Sequence, residues 1–121
     1  MDLKEKSAGD AIVAAAAGRI DLSNADAFCD ALSASLAKAK TALVLDLSGV
    51  DYISSAGLRA LMIVHKAAKA ADKGLGIAGL NPLVHEIFKI SRFDTVFALF
   101  DNVRDAVAKL APDSLSALER P

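Results

Sequence analysis

The sequence predicts an α/β domain: a small mixed, largely parallel sheet of about four to five strands with about four α-helices. Three observations carry this. Strand-like and helix-like segments alternate from residue 42 onward, a pattern that produces parallel strands joined by helical crossovers. The segment ALVLDL, Ala42 to Leu47, is apolar without alternation, as expected of a strand buried on both faces. The helical segments between the strands carry their own start signals.

The elements follow in order. Asp2 to Ser7 reads as an edge strand, and Ala8-Gly9-Asp10 as a turn. Ala11 to Ala17 has the composition of a helix, but it is short and meets Gly18, so it is assigned as the hairpin partner. Ser23 starts the first helix as its cap, with Asp26 three residues on. Phe28, Leu32 and Leu36 give that helix one apolar face, and it ends near Lys40. After the strand at 42–47 comes YISSAGLRAL, whose helix runs to about Asp72. Its inner stripe is Gly57, Leu61, Val64, Ala68 and Ala71, flanked by Leu58, Met62 and His65. Leu75 to Ala78 is the next strand. Asn81 caps a helix that begins at Pro82 and buries Leu83, Val84, Ile87 and Phe88. Thr95 to Phe100 is the last strand. Asp101 caps a final helix with Val103, Ala106, Val107 and Leu110 inward. Residues 1–110 make one domain, and 111–121 are left as a tail, extended or disordered.

Composition narrows the function. The formal net charge of -1 predicts no direct attraction to nucleic acid. No apolar run reaches the roughly 20 residues of a membrane span, and MDLKEKSAGD lacks the form of a signal peptide. The expectation is a soluble, cytoplasmic monomer. Cys29 is the single cysteine, which excludes a disulfide framework and a thiolate metal site. It reads as a core or boundary residue. The histidines, His65 and His85, do not fall at metal-binding spacing. No metal or cofactor is expected.

The pair Ser54-Ser55 lies where a strand becomes a helix. First-turn amides of a helix lack intrahelical partners and carry partial positive charge, so an anion is held well there. A phosphate on Ser55 would leave the fold standing and add about -1.5 to -2 charges to the surface. Serine is also a common helix cap, worth about 1 kcal/mol with no further role. One serine suffices for that, and the second is unexplained by it. Enzymatic readings fail on spacing. No GxSxG surrounds either serine. His65 sits roughly 15 Å along the helix from Ser55 at 1.5 Å per residue. His85 lacks an orienting acid, and no GxxxxGKS/T is present. The chain is therefore expected to be a binding module, not an enzyme. Arg59, Lys66, Lys69 and Lys73 form the polar side of the helix, and Ile63 lies among them, either as a partner contact or as a singly exposed apolar residue.

The run LVLDLSGVDYISSAGLRAL resembles the signature of the STAS domain, in particular that of bacterial anti-sigma factor antagonists. Gly18-Arg19-Ile20-Asp21, Gly76 to Pro82 and Ile87 to Phe93 resemble further elements of that family. The resemblance implies a STAS-like fold, in which Ala11–Ala17 is a strand. It implies partner switching: the unphosphorylated antagonist binds an anti-sigma factor that is a serine kinase of the soluble ATPase type. Phosphorylation on one serine releases the complex, and a serine phosphatase reverses it. Alignment on Gly57-Leu58 puts the phosphoacceptor at Ser55. Ser54 stands where many members carry Asp, and Ala56 replaces a frequent Ser or Thr. The partner-binding set is then Asp21, Ser54, Ser55, Ala56, Gly57, Arg59 and Ile63. The alternatives are a STAS adaptor subunit of a transport or sensory assembly, with Ser55 only a cap, and a small nucleotide-binding protein, for which no phosphate cradle is present.

Overall fold

The computed structural model describes residues 3–119. Its sheet runs in chain order through β1 (Lys4–Ala8), β2 (Ala11–Ile20), β3 (Ala42–Ile53), β4 (Gly74–Ala78) and β5 (Ala98–Phe100). The first pair is antiparallel and the other three are parallel. The helices are α1 (Ala25–Lys38), α2 (Ser55–Ala70), α3 (Pro82–Ile90), α4 (Val103–Leu110) and α5 (Leu115–Glu119). The expected mixed α/β architecture is present.

The apolar run of β3 divides by pleat between two layers. Leu43, Leu45 and Leu47 point into the larger core with Phe28 and Leu32 of α1, Leu61 and Val64 of α2, and Val84 and Phe88 of α3. Val44 points the other way, against Ala106 and Val107 of α4. Burial on both faces is thus the reason the strand lacks alternation. α5 closes the second layer through Leu115 and Leu118, and Lys6 donates to the Leu118 carbonyl at 3.2 Å. No helix among the described residues is long and apolar enough to cross a membrane.

Several boundaries differ from the sequence reading. The first strand spans Lys4–Ala8; Asp2, included in its expected range, lies outside the described residues. β2 does not stop at Gly18. That residue takes φ +86°, open to glycine, and the strand continues to Ile20 with register shifts on either side. β3 runs six residues past Leu47 because β2 keeps pairing with it as far as Ile20↔Ile53. α1 begins after Asn24, not Ser23, since the loop before it is held by other bonds described below. Ala71 and Leu83 are exposed: α2 ends at Ala70, and Leu83 lies on the side of α3 away from Val84 and Phe88. The expected strand from Thr95 is cut to Ala98–Phe100. Arg92 is left-handed, a 3-10 turn covers Phe93–Thr95, and Phe97 turns inward against His65, Phe88 and Phe93. Asn102 rather than Asp101 caps α4, accepting from the Asp105 amide at 2.8 Å. Beyond residue 110 the chain makes a 3-10 turn at Pro112–Ser114 and then α5.

Candidate functional site

Two crossovers meet at the carboxyl end of the sheet: the β2–α1 loop and the β3–α2 junction. Their ends are tied together, because the Ser54 amide donates to the Ile20 carbonyl at 2.8 Å. Ser54 is extended at φ -89°, ψ 175°, and its hydroxyl accepts from the Gly57 amide at 3.3 Å. It is therefore the cap of α2. Ser55 is the first helical residue and is exposed. Its own amide and that of Ala56 find no acceptor among the described residues, as expected at a helix start.

The helix mouth sits hard against the sheet. A Cβ added to Gly57 would come within 2.6 Å of Ile53 Cγ1 and 2.7 Å of Ile20 Cγ2. Gly57 is buried, so it is not available as a partner contact; its role is to let α2 start directly on β2 and β3.

Above the mouth is an open hollow of about 480 Å³, lined by Arg19, Asp21, Leu22, Tyr52, Ser54, Ser55, Ala56 and Arg59. The register Arg19↔Tyr52 places those two side chains together, with the guanidinium 4.5 Å from the ring centre. Arg19 Nε also lies 4.0 Å from an Asp21 carboxylate oxygen. The β2–α1 loop is fixed from within. The Ser23 hydroxyl and amide donate to Asp21 Oδ1 at 2.5 and 3.0 Å. Asn24 accepts from the Asp21 amide at 2.9 Å and donates to the Arg19 carbonyl at 2.8 Å. The Ser23 hydroxyl, with smaller help from its amide and from Arg19, holds the Asp21 carboxyl below the ordinary carboxylate value. These bonds occupy Ser23 and Asn24, which is why neither acts as a side-chain cap for α1.

A second, smaller hollow of about 100 Å³ adjoins the first between α1 and α2. Leu22, Ala56 and Arg59 line both, and Ala25, Asp26, Cys29, Ala60 and Ile63 complete the second. Of the site residues expected from sequence, Asp21, Ser54, Ser55, Ala56 and Arg59 share the first hollow. Ile63 lies in the second and is 51% exposed. Sequence reading missed Arg19, Leu22, Tyr52 and the lining position of Cys29; only Leu22, an apolar residue between Asp21 and Ser23, left a trace. The histidines lie elsewhere. His65 packs edge-on against Phe97 at 5.1 Å, and His85 borders a separate hollow with Leu80, Leu99, Phe100 and Asp101.

A family model described as "Mlab, STAS domain" matches residues 3–111. The chain belongs to the STAS domain family. This STAS domain is 37% identical over 97 residues to BtrV of Bordetella bronchiseptica, a protein named provisionally as an anti-sigma factor antagonist. The match covers 80% of this chain and 83% of BtrV. It is 31% identical over 90 residues to the anti-sigma-F factor antagonist RsfB of Mycobacterium tuberculosis, covering 74% of this chain and 73% of RsfB. Among solved structures, an anti-sigma factor antagonist from Mycobacterium paratuberculosis superposes with a TM-score of 0.82 at 26% identity. That superposition covers 90% of this STAS domain and 92% of the solved chain.

Proposed function

We propose that this STAS domain is a cytoplasmic anti-sigma factor antagonist controlled by phosphorylation at Ser55. The observation that carries the reading is the division of labour between adjacent serines. Ser54 caps α2, which leaves Ser55 exposed at the first helical position beside two unpaired amides and an open hollow. The names of BtrV and RsfB support the partner class, an anti-sigma factor.

The partner is a serine kinase of the soluble ATPase type. In its transfer step the Ser55 oxygen attacks the γ-phosphorus of the kinase's ATP. The bond from that phosphorus to the ADP bridging oxygen breaks, and the hydroxyl proton passes to a base on the kinase. A serine phosphatase restores the hydroxyl by bringing water to the phosphorus, releasing inorganic phosphate. The added dianion is tolerated by the free domain, where the α2 amides and the Arg19 and Arg59 charges lie close. Inside a close interface the same charge is desolvated and opposes association by several kcal/mol, about 2–5 unless paired.

The test is to mix the pure domain with the host's candidate anti-sigma kinases and ATP and locate the phosphate by mass spectrometry. One phosphate on Ser55, with Ser55→Asp folded but unable to hold the kinase, is the expected result. Phosphate on another residue, or none with any kinase, refutes it. An adaptor role without a switch would show itself as binding unaffected by Ser55→Asp.

A further inference from the structure

The two edges of the sheet are finished differently. At one, β1 opens Lys4-Glu5-Lys6 and is tied down: Glu5 pairs with Lys38, and Lys6 donates to the Leu118 carbonyl. Charges and covering segments of this kind keep an edge strand from pairing with another chain. At the other, β5 is Ala98-Leu99-Phe100, with no charge and no proline, and among the described residues no strand lies beyond it. The Gly79 amide donates to the Phe100 carbonyl, so the backbone groups of Phe100 face β4. By the alternation of a strand, Phe97, Leu99 and Asp101 turn theirs to the open side. The Phe97 amide is taken by the Phe93 carbonyl. The open edge therefore offers the Phe97 carbonyl, the Leu99 amide and carbonyl, and the Asp101 amide.

The geometry points to a self-pairing edge: two copies of this chain join β5 to β5, antiparallel about a two-fold axis at Leu99, into one continuous sheet. The offered groups are complementary to the same groups on a second copy. Leu99 of each donates to and accepts from Leu99 of the other, and the Asp101 amide of each meets the Phe97 carbonyl of the other. This register sets Ala98 opposite Phe100, a pair without mutual hydrogen bonds, where facing side chains come closest. Both point to the α4 side; Ala98 is exposed and small, which leaves room for the ring, and symmetry repeats the fit. An unrelated extended peptide would match the backbone groups, but nothing at this edge selects its side chains. The charged groups nearby are of both signs. Arg92 and Asp94 precede the strand, Asp101, Arg104 and Asp105 follow it, and His85 borders the same hollow as Asp101. Antiparallel pairing brings the earlier set of one copy toward the later set of the other, and Asp101 faces Phe97 rather than its own counterpart. A net charge of -1 adds little repulsion between copies. The seam from Phe97 to Asp101 is only about 17 Å long at ~3.4 Å per residue. That falls short of a standard interface of roughly 800 Å² per partner, so the dimer is weak and concentration-dependent. It departs from the monomer expected from sequence. Because β3 and β5 are parallel, the two-fold axis sends the carboxyl ends of the two sheets in opposite directions, and both Ser55 hollows stay open. The inference does not rest on the antagonist reading.

The experiment follows the weight-average mass by sedimentation equilibrium from roughly 10 μM to 1 mM, the window of a weak complex. It compares wild type with Ala98→Lys, which places a charge on the edge, and with Ala108→Lys, which adds the same charge at an exposed position of α4. Amide exchange of Leu99 and Asp101 is read by NMR at both ends of the range. Wild type and Ala108→Lys are expected to move toward twice the monomer mass, with the two amides slowed in step with the dimer fraction. Ala98→Lys should dimerise at least about tenfold more weakly with an unchanged melting temperature. A monomer throughout, a dimer that folded Ala98→Lys leaves intact, or a dimer whose Leu99 amide exchanges as fast as in the monomer overturns the proposal. The amide measurement on wild type decides the matter even if Ala98→Lys fails to fold. Protection of Leu99 by an added anti-sigma kinase, but not by concentration alone, would assign the edge to that partner and overturn self-pairing.

Discussion

The two serines at the start of α2 should separate cleanly in a stability measurement. Ser54→Ala removes the side-chain acceptor of the Gly57 amide. Cap removal typically costs about 1 kcal/mol within a range of roughly 0.5–2. The bond here is 3.3 Å, longer than the usual 2.7–3.2 Å for N–H···O, so the lower half applies, about 0.5–1 kcal/mol. For a chain between the small and mid-sized classes this lowers the melting temperature by about 2–5 °C. Ser55→Ala should do nothing of the kind. The side chain is exposed and caps nothing, and alanine is the better helix former by up to about 0.5 kcal/mol. Urea unfolding at constant m-value gives the difference directly. In the kinase assay the order reverses: Ser54→Ala still takes the phosphate and Ser55→Ala does not. Equal destabilisation by both variants, or a silent Ser54→Ala, would refute the division of roles.

Three further outcomes are expected. Gly57→Ala should destabilise by up to about 2 kcal/mol in urea unfolding. Overpacking against Ile53 and Ile20 costs about 1–3 kcal/mol, and the gain in helix propensity of about 1 kcal/mol offsets only part of it. Phe88→Ala, which removes a fully buried ring packed against Phe93 and Phe97, should cost about 3–5 kcal/mol, read by calorimetry. His65 should give stability a pH dependence. Burial beside Phe97, and secondarily the Lys69 charge, lowers its pKa below the ordinary 6.5. Below 6.5 the unfolded chain binds more protons than the folded one, so stability rises with pH in that window. The contribution is complete above 6.5 and is lost as pH falls through the lower folded value. His65→Gln should flatten thermal melts recorded between pH 7.5 and 5.5.

The parallel core of the fold was legible because β3 is apolar on both faces and because Asn81-Pro82 marks a helix start by local chemistry alone. What escaped depends on distant partners. Gly18 reads as a stop, yet β2 passes through it because β3 continues alongside. Ser23 reads as a cap, yet its hydroxyl is taken by Asp21. Thr95 to Phe97 has strand composition, but the inward turn of Phe97 toward α2 and α3 overrides it. At the site, the Ser54-Ser55 pair was legible as a helix mouth because that chemistry is local, whereas the choice of Ser55 over Ser54 came from the family resemblance. Arg19 and Tyr52 were not legible, because their adjacency is created by strand register.

The absence of a side chain at Gly57 has a bearing on time as well as on space. Because the opening turn of α2 rests directly on two isoleucines, there is no slack beneath it into which a modification above could be absorbed. A chemical mark written on Ser55 should then neither spread inward nor wait on slow rearrangement of the interior. How long such a message persists would be decided by the enzymes that write and erase it, with the domain itself serving as a passive and durable page.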